Sequence, residues 1–267
     1  MNKKIFNLIQ LQKLNYLIKY SKKYFKIKEK EKTNLLSHIK AILLDLDGTL
    51  LTIDLNEYVK EYIKGLALKV ARKIPPNKFI PHLLKAGKIM ENNDGKLTNE
   101  EIFNKTFFPF MGYSREDLEP IFLDFYQNDF PKLKKYTKKK PEARRLIQKA
   151  IEKRLCIVIA TTPLLPMVAT AERLQWADIA DFSYNLITSY ENMKSTKPNL
   201  LYYKQILEVI GHTAKNCMMV GDEDKDMVAK KLGLTTFLVS SPSTNLSNPS
   251  TPRPDYTGTL NDLVEML

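Results

Sequence analysis

Residues 41–50 read Ala41-Ile42-Leu43-Leu44-Asp45-Leu46-Asp47-Gly48-Thr49-Leu50. An apolar run that begins at Ile39 stops abruptly at Asp45, and its length fits a strand buried in a parallel sheet. Asp45 and Asp47 stand two residues apart, so near-extended backbone aims both carboxylates to the same side. Gly48 then lets the chain turn sharply.

Similar runs recur at 155–160, 185–188, 217–220 and 236–239. Helical stretches separate them: 141–153, opened by Pro141; 166–176; 198–210, closed by Gly211; and 226–232, ahead of Gly233. Thr259 can cap a last helix through Met266. Strand–helix alternation predicts an α/β fold, a doubly wound, Rossmann-like parallel sheet.

Residues 55–137 differ, reading as helices with no strand between them: 57–72, 77–90, 99–107 and 115–125. Thr98 with Glu101 makes a capping box, and Ser114 with Asp117 has the same spacing. An all-helical block inserted after the first strand reads as a cap over the sheet. The expected organisation is a basic extension at 1–37, a catalytic core at 38–54 and 138–267, and a helical cap at 55–137. Residues 240–258, rich in Ser, Pro, Asn and Thr, read as surface loop.

The net charge of +12 over 267 residues is unevenly spread. Residues 1–40 hold eleven lysines against two glutamates, a net +9, so the rest of the chain is only mildly basic. Cys156 and Cys217 have neither disulfide-framework nor zinc-site spacing and fit reduced core positions. No apolar stretch is long enough to span a bilayer, and the lysine-led start has no clean apolar region behind it, so a cytoplasmic protein is expected.

In an open α/β sheet, ligands bind beyond the carboxyl ends of the strands. The first apolar run ends in Asp45 and Asp47, the second in Thr161-Thr162, and the fourth in Gly221-Asp222-Glu223-Asp224-Lys225-Asp226, while Lys197 precedes the helix between the third and fourth. Paired carboxylates can divide the roles of nucleophile and general acid/base. A carboxylate approaching a phosphate at ~4 Å is opposed by about 4 kcal/mol per charge pair at an effective dielectric of 20. A divalent cation and a lysine relieve that repulsion. Asp222 and Asp226 offer hard oxygen ligands suited to magnesium, Lys197 offers positive charge, and Thr161 can hold phosphoryl oxygens.

Residues 41–50 closely resemble the first motif of the haloacid dehalogenase-like superfamily, and 157–161, Lys197 and 221–226 resemble its second, third and fourth, in order. The resemblance spans roughly 39–267 and includes the family's helical cap; 186–193 and 226–233 also resemble a bacterial phosphatase branch. It implies a magnesium-dependent phosphatase acting on a small phosphorylated metabolite. Asp45 would attack phosphorus and become an aspartyl-phosphate; Asp47 would protonate the leaving alcohol and then activate water. Magnesium would be held by Asp45, the main-chain carbonyl of Asp47 and Asp222, with Asp226 orienting the metal shell or Lys197. Thr161 would bind the phosphoryl group, with Thr162, where the family often has Asn, also near the substrate. Dehalogenases of the family lack the second aspartate, so Asp47 favours a phosphatase.

Phosphotransfer or mutase chemistry on the same intermediate is the related alternative, and a non-catalytic scaffold using its basic arm is the unrelated one. Residues 222–226 mimic the opening of a calcium-binding loop, but Met227 occupies the place that needs Gly. The run Lys132–Lys140 reads as a solvated hinge surface, His38, His82 and His212 as structural, and the cap aromatics as helix packing. No nucleic-acid motif accompanies the charge. Residues 1–37 read either as a helix packed on the core, or an extension, or as a weak anionic-membrane contact.

Overall fold

The computed structural model describes residues 36–267 except 242, 243 and 245. The expectations for the basic arm, including its membrane contact, lie outside the described residues apart from Leu36 and Ser37. The chain divides into two compact units, residues 1–38 with 265–267, and residues 39–264. Of the first unit the structure describes Leu36–His38, in a turn, and the last three residues.

The second unit is built around strand β1 (Ala41–Leu44), every residue of which is fully buried. It lies between β4 (Cys156–Ile159) and β6 (Cys217–Gly221), parallel to both, with Ala41 opposite Cys156 and Cys217. β5 (Leu186–Ile187), β7 (Thr235–Val239) and β8 (Tyr256–Gly258) complete a six-stranded sheet of order β5-β4-β1-β6-β7-β8, parallel throughout. Side chains alternate across a strand. Ala41 and Leu43 therefore share one face with Val158, Cys217 and Met219, packed in one cluster with Tyr202, Tyr203 and Ile206 of the helix Leu200–Ile210. Cys156 and Cys217 are both free thiols, half-buried and buried.

Between β2 (Leu51–Ile53) and β3 (Thr137–Lys139) stand four helices, α1 (Leu55–Val70), α2 (Pro76–Glu91), α3 (Asn99–Met111) and α4 (Arg115–Asn128). Asp54 caps α1 by accepting from the Glu57 amide, and both expected capping boxes form, at Thr98/Glu101 and Ser114/Asp117. α3 runs past Phe107 and ends where Gly112 adopts a left-handed conformation, φ 75°. The aromatic residues pack among themselves, as Phe103 on Phe107 (centroids 4.8 Å) and Phe130 on Trp176 (5.3 Å).

Two features differ from the sequence reading. β2 and β3 pair antiparallel, Leu51 opposite Lys139 and Ile53 opposite Thr137, so both connections to the helical insertion form one ribbon. The segment read as loop to residue 258 ends in strand β8, whose lone tyrosine and two small residues carry no apolar alternation to announce it. Among the described residues, no helix is long and apolar enough to cross a membrane.

Candidate active site

Asp45 follows β1 directly, its amide donating to the Val220 carbonyl of β6 at 2.9 Å, so the sheet itself fixes its position. The Lys197 ammonium donates to Asp45 Oδ1 and to Asp226 Oδ1, each at 2.6 Å, in an interior where the Lys197 and Asp226 side chains have no exposure. Burial works against the Lys197 charge, but Asp226 and Asp45 outweigh it and hold the ammonium well above the usual lysine range. Burial likewise pushes Asp226 up, against the pull of Lys197, to about 7. Asp226 also accepts from the Glu223 amide at 3.3 Å, so both its oxygens are engaged.

Gly48 has φ +86°, and a Cβ there would sit 2.2 Å from Asp222 Oδ2. Glycine is thus required both by its conformation and by the close approach of a carboxylate. Thr49 Oγ1 donates to Asp222 Oδ1 at 2.7 Å, fixing the other oxygen. Burial and the neighbouring Asp45 charge push Asp222 up to about 6, despite that bond. Asp45, Asp222 and Asp226 each bring a carboxylate oxygen within 4.8 Å of the other two. Crowded, partly desolvated carboxylates of this kind fit a hard divalent cation such as magnesium. Asp224 is outside this cluster, and its Oδ2 is taken up by the amides of Ser247 (2.8 Å) and Asn248 (3.1 Å).

Asp47 is held differently. The Arg173 guanidinium donates to its Oδ2, while Oδ1 is buried with no hydrogen-bond partner among the described residues. Burial raises the Asp47 carboxyl, with Arg173 opposing and Asp45 reinforcing. Arg173 belongs to helix α6 (Met167–Trp176), which follows α5 (Pro141–Glu152), and it is buried beside Ala169, Thr170 and Leu174. The sequence reading passed over Arg173; the available signal was a lone charge on the helix face of Ala169, Thr170 and Leu174.

Lys140 was also missed as an individual. It closes the ribbon after β3, and its Nζ donates to the carbonyls of Gly48 and Thr49, the latter at 3.0 Å. That one lysine of the run Lys132–Lys140 reaches inward corrects the reading of the whole run as solvated surface. Its neighbour Lys139 stays exposed.

Thr161 lies just beyond β4, buried, its carbonyl accepting from the hydroxyls of Thr188 (2.7 Å) and Tyr202 (2.9 Å). Thr161 and Thr162 line the same cavity as Asp45, Asp47, Lys197 and Asp222, a space of about 1230 Å³ roofed by α1–α4. Within the insertion, Asn99 is fully buried; its main-chain amide donates to Met193 O (2.8 Å) and its Nδ2 to Pro163 O (3.0 Å).

An acidic cluster at the carboxyl ends of a doubly wound parallel sheet, under a helical insertion that follows the first strand, is the ground plan of a haloacid dehalogenase-like protein. The chain belongs to the haloacid dehalogenase-like hydrolase family, which matches residues 39–233. It is 26% identical to a phosphoglycolate phosphatase of Neisseria gonorrhoeae over 245 residues, covering 87% of this chain and 94% of that protein. Its fold is similar to that of a 2-haloacid dehalogenase from Pseudomonas syringae (TM-score 0.59, 18% identity, 85% of this chain and 97% of the other). A haloacid dehalogenase-like phosphatase from Thermococcus onnurineus has a TM-score of 0.53 at 17% identity, covering 84% and 96% of the two chains. At these identities the structural likenesses speak to the fold alone.

Proposed function

We propose that the protein is a magnesium-dependent phosphomonoester hydrolase in which Asp45 is the nucleophile. The observation that carries this reading is the pairing of a buried aspartate, Asp45, with a half-buried one, Asp47, in opposite environments. Asp45 accepts from the buried Lys197 ammonium at 2.6 Å. Asp47, raised by burial, has an Oδ1 with no partner among the described residues, and that oxygen can carry a proton. Asp45 would attack phosphorus and break the bond to the ester oxygen, forming an aspartyl-phosphate. Asp47 would deliver its Oδ1 proton to the departing alcohol, then accept one from the water that attacks the phosphoryl group. Lys197 and Thr161 would hold the phosphoryl oxygens, with Thr162 at the edge of the same space. Asp226 would position Lys197, consistent with both of its oxygens being engaged.

Magnesium, bound by Asp45, Asp222 and the main-chain carbonyl of Asp47, with Asp226 behind, would supply neutralisation of charge on the transferring group. The relatives named phosphoglycolate phosphatase support phosphate-ester hydrolysis as the reaction class. The helical insertion is proposed to cap the site, with residues 55–137 as the cap and 38–54 and 138–267 as the core. The test is intermediate trapping. Asp47→Asn, quenched in acid after mixing with p-nitrophenyl phosphate and magnesium, should carry a phosphoryl group on the peptide containing Asp45. Absence of that adduct, together with undiminished turnover by Asp45→Asn, defeats the mechanism.

A further inference from the structure

Resting on the phosphatase reading, we propose that the natural substrate is the phosphate monoester of an uncharged, extended apolar alcohol rather than of a small hydroxy acid. A cavity of about 1230 Å³ exceeds the usual range even for drug-sized ligands, and a two-carbon ester would leave most of it to water. Large apolar side chains left exposed on a folded protein call for an explanation when they gather in one place. Nine such residues are exposed among those described, and five of them, Leu55, Val59, Leu84, Leu123 and Val168, line this cavity. The cavity is continuous with Asp45, so the occupant that covers them is the part of the substrate beyond its phosphate.

Charge argues in the same direction. Apart from Asp45, Asp47, Asp222, Arg173 and Lys197, the described lining includes six carboxylates and three cations, an excess of acid around the leaving group. Each cation already has an acidic partner. Arg115 donates to Glu119 (2.8 Å) and is ion-paired with Glu100 (3.0 Å), Lys225 pairs with Glu223 (2.7 Å), and Lys88 pairs with Glu91 (2.9 Å). Arg173 and Lys197 are committed to Asp47 and to Asp45 with Asp226. A leaving group with its own carboxylate, such as glycolate, finds no spare cation among the described residues of this lining, whereas an uncharged alkyl or aryl group has no need of one.

The test is phosphate release from ethyl, butyl, hexyl, octyl and decyl phosphate, each below its micelle-forming concentration, beside phosphoglycolate and p-nitrophenyl phosphate. The expected kcat/KM rises about threefold to fourfold per added methylene until the cavity is filled. Ethyl phosphate should exceed phosphoglycolate, which has the same number of carbons. Leu84→Asp and Leu123→Asp should lower the octyl-to-ethyl ratio by about tenfold each; being a ratio, it is insensitive to the fraction of protein that folds. A flat alkyl series, or phosphoglycolate preferred over octyl phosphate, overturns the proposal and leaves the phosphatase reading standing. Release from none of the esters overturns that reading and this one with it.

Discussion

The Arg173 guanidinium donates to Asp47 Oδ2 and to Thr170 Oγ1, so a buried cation is held against a half-buried acid. Removing one member of a buried ion pair strands the other, typically at about 3–5 kcal/mol. Arg173→Met should therefore lower stability by that order in urea unfolding. The double variant Arg173→Met/Asp47→Asn should recover most of it. Equal losses in the single and double variants would show that the pair is not coupled.

Lys140 makes a different prediction. Hydrogen bonds to a charged donor contribute about 1.5–3 kcal/mol, and its ammonium bonds the carbonyls of the turn carrying Gly48 and Thr49. Lys140→Met should reduce kcat/KM by about one to two orders of magnitude. Lys139, exposed and paired only with exposed Asp178, should tolerate the same change within about twofold. Similar losses at both positions would mean that the run acts through net charge.

The crowding of Asp45, Asp222 and Asp226 predicts metal dependence. A ligand at 100 times its dissociation constant stabilises the folded state by about 2.7 kcal/mol. Magnesium should accordingly raise the melting temperature of the wild-type protein, Asp222→Ala should largely abolish the rise, and chelator should remove turnover. Undiminished activity in excess chelator would contradict the site.

Gly48→Ala tests the cradle. Its Cβ would enter the space of Asp222 Oδ2, and its left-handed φ disfavours any side chain by about 1–2 kcal/mol. We expect weaker magnesium binding by calorimetry as Asp222 is displaced. Affinity equal to wild type would show that the loop yields freely.

Asn99 ties the insertion to the core through Met193 and Pro163. Asn99→Ala keeps the main-chain bond to Met193 but takes the Nδ2 donor from the buried carbonyls of Pro163 and Ser195, at about 1–3 kcal/mol each. Lower stability and a higher KM are the expected pair of outcomes; a loss of stability with unchanged KM would confine Asn99 to packing.

Much of the candidate site was legible because strand ends and apolar runs share one signal: Asp45, Thr161 and Asp222 each lie at or just past the point where such a run stops. Lys197 and Asp226 came with the motif order. Arg173 was hidden because a charged residue on a helix is ordinarily solvated, and only the packing of α6 shows otherwise. Lys140 was hidden by its company, since periodicity cannot separate one inward lysine from a run of outward ones. β8 escaped because a three-residue strand in a Pro- and Ser-rich stretch derives its existence from β7, a partner distant from any local pattern.

The pairing of Ile53 with Thr137 has a consequence for how this molecule could be rebuilt. The two points where the chain departs for its helices and returns are neighbours across one ladder rung. Everything between them is, topologically, a loop on a hairpin stem. A stem of that kind accepts a foreign module at its tip without asking the sheet to re-register. Residues 51–53 and 137–139 are thus natural splice points for grafting the roof of another family member onto this catalytic base, or for closing the stem with a two-residue turn to leave a minimal, open-faced enzyme.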